Sequence, residues 1–512
     1  MSTGPRNRPL GKRAASANRH EVRRLVPLSA GASLWITALA VLLVLATLPA
    51  WSSGGRSTSA ADPDARAVLE KAPGGPAAPD HPNVVLFLTD DQRWDQLEQM
   101  PNVQRLLVDH GIRFENGFVV NSLCCPSRAG YLTGGYSHST GVYTLTPPLG
   151  GYAAFDDGST LATWLHDAGY HTALLGKYLN GYDGTRIPPG WDRWFAFQQN
   201  HGNYYYDYTA NDDGVLRSFG SDPEDYSTSL ITSGAVDFIR DTAGPLFLYL
   251  APYAPHAPAI PAPGDESAFS SLPADRPVNY DESDVSDKPA WVRALPGMSG
   301  GLRSDTDVLR LNMFRSLLAV DRMVGQVVEA MAETGRLHDT MFVFTSDNGL
   351  ALGEHRWVHR KEAAYEESIR VPLVIRYDPL VRSPRVDGHL VTNIDFAPTA
   401  AQLAGVEADG VDGRSLLPLF MTPAAPWRDD FLIEHEALTG IPDPPTFCGV
   451  RTTDHLYVQY ATGEEELYDL RSDPYELDNA VDDPGSALLL GALRLRLREL
   501  CEPQPPGFAF SH

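Results

Sequence analysis

The chain has 512 residues, of which 43% are hydrophobic and 10% aromatic. This is ordinary globular composition, too long for one simple core, and it suggests a large domain with at least one smaller one. A formal net charge of −24 and an isoelectric point near 4.9 exclude a nucleic-acid binder and argue against wrapping a long polyanion. A small anion remains compatible, because cations clustered in a cleft outweigh distant, screened charge.

Residues 1–31 read as a basic cytoplasmic N-terminus, with about seven Lys/Arg and the single acid Glu21. Residues 32–51 are almost wholly apolar, and about twenty residues at 1.5 Å rise span a bilayer core. The positive flank places the N-terminus inside and everything after it outside. A retained signal-anchor and a cleaved signal peptide are both open. The length of the run and the bulky Leu48 in Leu48-Pro49-Ala50 favour the anchor. In either case the protein is exported, as an extracellular or cell-surface protein. Residues 52–82, rich in Ser, Gly, Pro and Ala, read as a flexible linker.

Asn83 to Leu88 is a short apolar run with β-branched residues, the pattern of a buried strand, and it ends on Asp90-Asp91. Leu161 to Ala168 reads as an amphipathic helix stopped by Gly169. Thr172 to Leu175 is a strand ending on Gly176-Lys177, and Leu246 to Leu250 is another, followed by Pro255-His256. Helical periodicity runs from Val308 to Gly335. Phe342 to Phe344 is a strand ending on Asp347-Asn348-Gly349, and Val371 to Ile375 is a fifth. Strands alternating with helices predict an α/β fold, a doubly wound, mostly parallel central sheet flanked by helices, over residues 83–424. Each polar cluster follows a strand's carboxyl end, where open α/β sheets place their ligands. Residues 425–512 change texture. Phe431–Ile433, Tyr457–Gln459 and Glu466–Asp469 read as antiparallel strands and Ser486–Glu499 as a closing helix, a smaller C-terminal α+β subdomain.

Asp90, Asp91, Asp347 and Asn348 are hard oxygen ligands, suited to Ca²⁺ or Mg²⁺, and no His/Cys cluster has zinc spacing. Cys124-Cys125-Pro126-Ser127-Arg128, followed by Leu132-Thr133-Gly134, completes the chemistry-bearing set. The order Thr89-Asp90-Asp91-Gln92, Cys124…Arg128, Gly176-Lys177, Pro255-His256, Ser346-Asp347-Asn348-Gly349 and Lys361…Tyr365-Glu366 resembles type I, formylglycine-dependent sulfatases of the alkaline phosphatase superfamily. The likeness covers most of residues 82–480. Leu123–Arg128, Gly176–Asn180 and Tyr206–Thr209 are similar to N-acetylglucosamine-6-sulfatases.

The resemblance implies that a formylglycine-generating enzyme oxidises Cys124 to formylglycine, whose hydrated form attacks sulfur and then expels sulfate to regenerate the aldehyde. It implies a metal held by Asp90, Asp91, Cys124, Asp347 and Asn348. Arg128 would hold the diol and the ligand carboxylates, Lys177 and Lys361 the sulfate oxygens, and His256 the leaving oxygen. Many family members have a histidine where this chain has Leu179; Asn180 follows it and is a candidate substrate contact. Four cysteines are encoded. With Cys124 consumed, Cys448 and Cys501 are the natural disulfide pair, and whether they join is open.

The expected activity is hydrolysis of a sulfuric ester, of a sulfated sugar such as N-acetylglucosamine 6-sulfate or of an aryl sulfate. The rival is a phosphate or phosphonate ester hydrolase of the same superfamily. A non-catalytic binding module predicts a lost ligand or nucleophile, and none is missing. Specificity is expected in the loops 200–209 and 257–304, where Tyr204-Tyr205-Tyr206 would either stack on a sugar or pack in the core.

Overall fold

The computed structural model describes residues 81–199, 204–438 and 444–510. The basic N-terminus, the apolar run 32–51 and all but the last two residues of the linker lie outside the described residues. Among the described residues no helix is long and apolar enough to cross a membrane.

A ten-stranded mixed sheet organises the larger part. In chain order its strands are β1 (Asn83–Thr89), β2 (Ile112–Phe114), β3 (His171–Gly176), β4 (Arg193–Phe197), β5 (Thr209–Asp212), β6 (Val215–Ser218), β7 (Leu246–Ala251), β8 (Thr340–Ser346), β9 (Leu373–Arg376) and β10 (Arg385–Asp387). Their spatial order is β10-β2-β9-β8-β1-β7-β3-β4-β5-β6. The central five, β8-β1-β7-β3-β4, are parallel. The apolar run Val371–Ile375 predicts one more strand of a parallel sheet. It forms β9, which starts at Leu373 and runs antiparallel to β8 and to β2. At the other edge β5 and β6 are antiparallel as well.

Every residue of β1 is buried, because both faces of the sheet are covered. Val84, Leu86 and Leu88 pack on one side with α1 (Cys124–Thr133) and α2 (Leu161–Asp167). Val85 and Phe87 pack on the other side with α3 (Ser227–Asp241) and α4 (Gly300–Glu333). Alternate strand residues point to opposite faces, so an apolar run with no polar gaps is what a doubly covered strand requires. α4 begins at Gly300, eight residues before its apolar periodicity becomes visible, because the Ser299 hydroxyl caps it by accepting from the Leu302 N–H at 3.1 Å.

A second, four-stranded antiparallel sheet follows: β11 (Asp430–His435), β12 (Phe447–Thr452), β13 (His455–Tyr460) and β14 (Glu465–Asp469), in sequential order. Across it lies α5 (Ala487–Leu500), whose Leu490, Leu493 and Leu497 are buried at i, i+3, i+7 spacing against Leu432 and Val450. Burying each leucine is worth about 1.5–3 kcal/mol. A disulfide between Cys448 and Cys501 ties the end of α5 to β12.

Candidate active site

β1 lies between β8 and β7 and runs parallel to both, and open α/β sheets of this kind bind ligands in a crevice outside the strands' carboxyl ends. Asp90 and Asp91 leave β1 at that crevice, Asp347 and Asn348 leave β8, and Lys177 leaves β3. Gly176 permits the last of these: its φ is +119°, and a Cβ there would lie 2.0 Å from the Ala251 carbonyl oxygen. His256 enters on the loop after β7, which bridges back to the first strand through Asp90 and Pro255. Asp91 has φ +64°, unusual for a residue with a side chain, and its N–H donates to Asp347 Oδ1 at 3.1 Å.

Cys124 is the first residue of α1, and Leu123 before it is extended. Arg128 lies one turn on, on the same helix face. Gly134, at φ +72°, closes the helix as a left-handed cap. Arg128 is fully buried. Its Nε donates to Asp347 Oδ2 at 2.8 Å, one Nη donates to the Lys177 carbonyl at 2.9 Å, and the other lies 3.7 Å from Asp90 Oδ2. Lys177 Nζ donates to Asp90 Oδ2 at 2.5 Å. Lys361 Nζ donates to Asp91 Oδ1 and lies 2.9 Å from the Cys124 sulfur, which is 3.7 Å from Asp90 Oδ1.

Three carboxylates thus face three cations in a nearly dry cluster. Burial raises the Asp90 carboxyl, but Lys177, His256 and Arg128 together outweigh it and leave it below its ordinary value. Asp91 is lowered in the same way, against burial, by Lys361 and then His256. Burial pushes the Cys124 thiol up to about 12 against the pull of Lys177 and Lys361, so the encoded side chain is held as a neutral thiol.

Asp90, Asp91, Asp347 and Cys124 offer ligand atoms all within 4.8 Å of one another. Asn348 Nδ2 donates to Asp91 Oδ1 at 2.6 Å, while its Oδ1 is buried without a hydrogen-bond partner. An orphaned amide oxygen beside three carboxylates fits a hard divalent cation such as Ca²⁺ or Mg²⁺. His256 Nε2 is 3.5 Å from Asp91 Oδ2. The structure therefore gathers Asp90, Asp91, Cys124, Arg128, Lys177, His256, Asp347, Asn348 and Lys361 from six segments of the chain. Asn180 is buried three residues beyond Lys177, and its Oδ1 makes no hydrogen bond to any of them.

The family described as Sulfatase matches residues 82–406. The chain belongs to the sulfatase family. The family described as N-sulphoglucosamine sulphohydrolase, C-terminal, matches residues 353–503 of this sulfatase chain. It is 35% identical over 373 residues to a putative extracellular sulfatase Sulf-1 homolog of Caenorhabditis elegans, covering 69% of this chain and 52% of that protein. It is 31% identical over 474 residues to N-acetylglucosamine-6-sulfatase of Homo sapiens, covering 82% and 84%. The chain spans about half the length of the first of these, and a third of a Drosophila melanogaster SULF-1 homolog. Its fold is similar to that of BT4656, solved in complex with its substrate D-glucosamine-2-N,6-O-disulfate, with a TM-score of 0.70 at 26% identity over 82% of this chain and 97% of that one. A phosphonate monoester hydrolase of Agrobacterium radiobacter shares the fold at a TM-score of 0.68 and 21% identity, covering 82% and 95%.

Two features carry no motif in the sequence. Tyr253 stacks on His256 and lies beneath Lys177; only its position three residues before the histidine could have signalled it. The second is a separate buried acid cluster, where Glu367, Glu476 and His355 place ligand-type atoms within 4.8 Å. His355 Nδ1 pairs with Glu282 at 2.7 Å, and burial followed by Lys288 pushes its imidazole down to about 3. Of the tyrosine run, Tyr205 is buried among Tyr226 and Tyr253, and Tyr204 stacks on Phe197. His138 pairs with Glu434 at 2.7 Å.

Proposed function

We propose that the protein is a metal-dependent sulfuric ester hydrolase with formylglycine at position 124, acting on a sulfated sugar such as N-acetylglucosamine 6-sulfate. The observation that carries this reading is the placement of Cys124. It opens a helix, 2.9 Å from Lys361 Nζ and 3.7 Å from an Asp90 oxygen, at the centre of the carboxylate cluster. A neutral, buried thiol is a weak nucleophile, and oxidation to an aldehyde supplies there a hydrated carbonyl whose second hydroxyl allows sulfate to be released.

A divalent cation held by Asp90, Asp91, Asp347, Asn348 and residue 124 would supply Lewis-acid polarisation and charge neutralisation. With three carboxylates already balanced by three cations, such an ion leaves the pocket net positive and suited to an anionic ester. Arg128, fixed by Asp347 and the Lys177 carbonyl, orients the first turn of α1 and so the side chain at 124. Lys177 and Lys361 present ammonium groups to the equatorial oxygens, where charge shifts as the ester bond breaks. In its imidazolium form His256, on the more open side of the cluster, would hand the Nε2 proton to the departing alkoxide and be left neutral with Nδ1–H on the Ala257 carbonyl.

The name of the human relative supports the hexosamine 6-sulfate. The names of the Sulf-1 homologues support a catalytic domain outside the cell, carried by the apolar run 32–51. We place the catalytic domain at 83–424 and the C-terminal subdomain at 425–512. The shared fold of the phosphonate monoester hydrolase keeps phosphonate esters as the second reading.

The test is the mass of the peptide containing residue 124, from protein made with a formylglycine-generating enzyme, together with turnover of sulfate and phosphonate esters. A peptide lightened by exchange of H₂S for O, with turnover of sulfates over phosphonates, is expected. An unmodified thiol in active protein refutes the formylglycine mechanism, and phosphonate preference refutes the substrate class.

A further inference from the structure

His256 is unusual among the clustered residues in being partly open, with 27% of its side chain exposed. An imidazole at the mouth of a pocket needs something to fix its plane. Its Nδ1 lies 2.8 Å from the Ala257 carbonyl oxygen, so Nδ1 carries the proton and donates there, directing Nε2 towards the site. The Tyr253 hydroxyl donates to the same carbonyl at 3.3 Å. The Tyr253 ring is stacked against the imidazole, with centroids 4.5 Å apart and planes 30° from parallel. The same ring lies 5.7 Å from Lys177 Nζ. Tyr204, edge-on at 4.9 Å, and Tyr205, edge-on at 5.5 Å, brace Tyr253 from behind. The Tyr205 hydroxyl donates to the His256 carbonyl at 2.8 Å.

We propose that Tyr253 is a positioning residue for ester cleavage: its ring and hydroxyl set the plane of His256 and so align the proton donor with the leaving oxygen. This rests on the hydrolase reading above and deepens it. A residue that only filled core space would not need an aromatic face towards the imidazole and the ammonium, or a hydroxyl on the carbonyl that fixes the imidazole tautomer. The ring's negative face suits the cation, and its flat surface prevents the imidazole from swinging into solvent.

The consequence depends on the leaving group. A sugar alkoxide is a poor leaving group and needs a proton as it departs, whereas 4-nitrophenolate leaves unaided. The experiment compares kcat and KM on N-acetylglucosamine 6-sulfate and on 4-nitrophenyl sulfate. The proteins are the full-length chain, Tyr253→Leu, Tyr253→Phe, His256→Ala and the Tyr253→Leu/His256→Ala double variant. Tyr253→Leu is expected to lower kcat on the sugar ester by about tenfold or more, and on the nitrophenyl ester by less than about threefold. Tyr253→Phe, which keeps the face, rescues most of the loss. The double variant is no slower on the sugar ester than His256→Ala alone.

Equal losses on the two esters, or a loss that adds fully to that of His256→Ala, would overturn the proposal. Should the leucine variant fail to fold, Tyr253→Met fills the core without an aromatic face and serves in its place. A parent enzyme that cleaves phosphonate esters and no sulfates would sink the sulfatase reading instead. The same leaving-group comparison then proceeds with alkyl and nitrophenyl phosphonates.

Discussion

Lys361 bridges two residues that must work together: its Nζ lies 2.9 Å from the Cys124 sulfur while donating to Asp91. Burial disfavours the charged amine, but Asp91, and then Asp90 and Asp347, outweigh it and hold the group protonated well above its ordinary range. Lys361→Ala removes a fixed positive charge from the point where the ester's sulfate group would sit. It is expected to lower kcat/KM by about 10²–10³-fold, the usual cost of one electrostatic stabiliser. A loss below threefold in steady-state assays would remove Lys361 from the machinery.

Cys124→Ala is expected to reduce turnover by roughly 10⁴-fold or more, as removal of a nucleophile does, while leaving the melting temperature close to that of the parent. Residue 124 is at the helix start, and alanine is compatible with that backbone. Residual full activity in the alanine variant would exclude position 124 as the nucleophile.

Arg128→Ala leaves Asp347 and Asp90 buried without their guanidinium partner. Breaking a buried ion pair from one side costs about 3–5 kcal/mol, so urea unfolding should shift accordingly. A change under about 1 kcal/mol would mean that the carboxylates are compensated by another group.

Exhaustive chelation is expected to abolish turnover and lower the melting temperature, because an ion held by groups that only the folded chain gathers within 4.8 Å stabilises that state by mass action. Ca²⁺ or Mg²⁺ should restore both, and titration calorimetry on the Asp347→Ala variant should show weakened binding. Unchanged activity after verified metal removal would contradict the cation reading.

The acid cluster away from the active site gives a stability profile. Burial, and then Glu354, raises Glu367 from 4.5 to about 7; burial, with Glu367 and Glu366, raises Glu476 well above 4.5. Between about pH 4.5 and 7 the unfolded chain has released the Glu367 proton and the folded chain has not, and Glu476 behaves in the same sense from 4.5 upwards. Folding stability contributed by these groups therefore falls as pH rises through that window. Glu476→Gln should flatten the decline of melting temperature with pH and raise stability at about pH 8, above that window. A profile identical to the parent's would rule the pair out as its source.

Much of this was legible in the chain because strand ends carry their chemistry with them. Val84 to Leu88 has no polar interruption, so a doubly covered strand was readable, and Asp90-Asp91 necessarily followed its carboxyl end. From the residues alone the cations that face these carboxylates were not readable as partners; only the family resemblance assigned Arg128 to them. Lys361 meets Asp91 across 270 residues and Arg128 meets Asp347 across 219, pairings that only the strand order creates. β2 and β10 are three residues each, too short to show a period. The direction of β9 depends on which strand it joins, which its own residues do not encode. The first turns of α4, from Gly300-Gly301 to Thr306-Asp307, contain only Leu302 as an apolar residue and so carry no periodic signal.

The depth of Cys124 sets an order of events. Only 2% of the residue is exposed once Asp347 and Lys361 have closed over it, and Lys361 is encoded 237 positions later. A modifying protein can reach that thiol only while the later half of the chain is still unpaired. On the formylglycine reading, oxidation of residue 124 would have to precede folding of the later half of the chain. On that reading, a molecule that folds first would be sealed with its thiol inside, and the active fraction of a preparation would be set before purification begins.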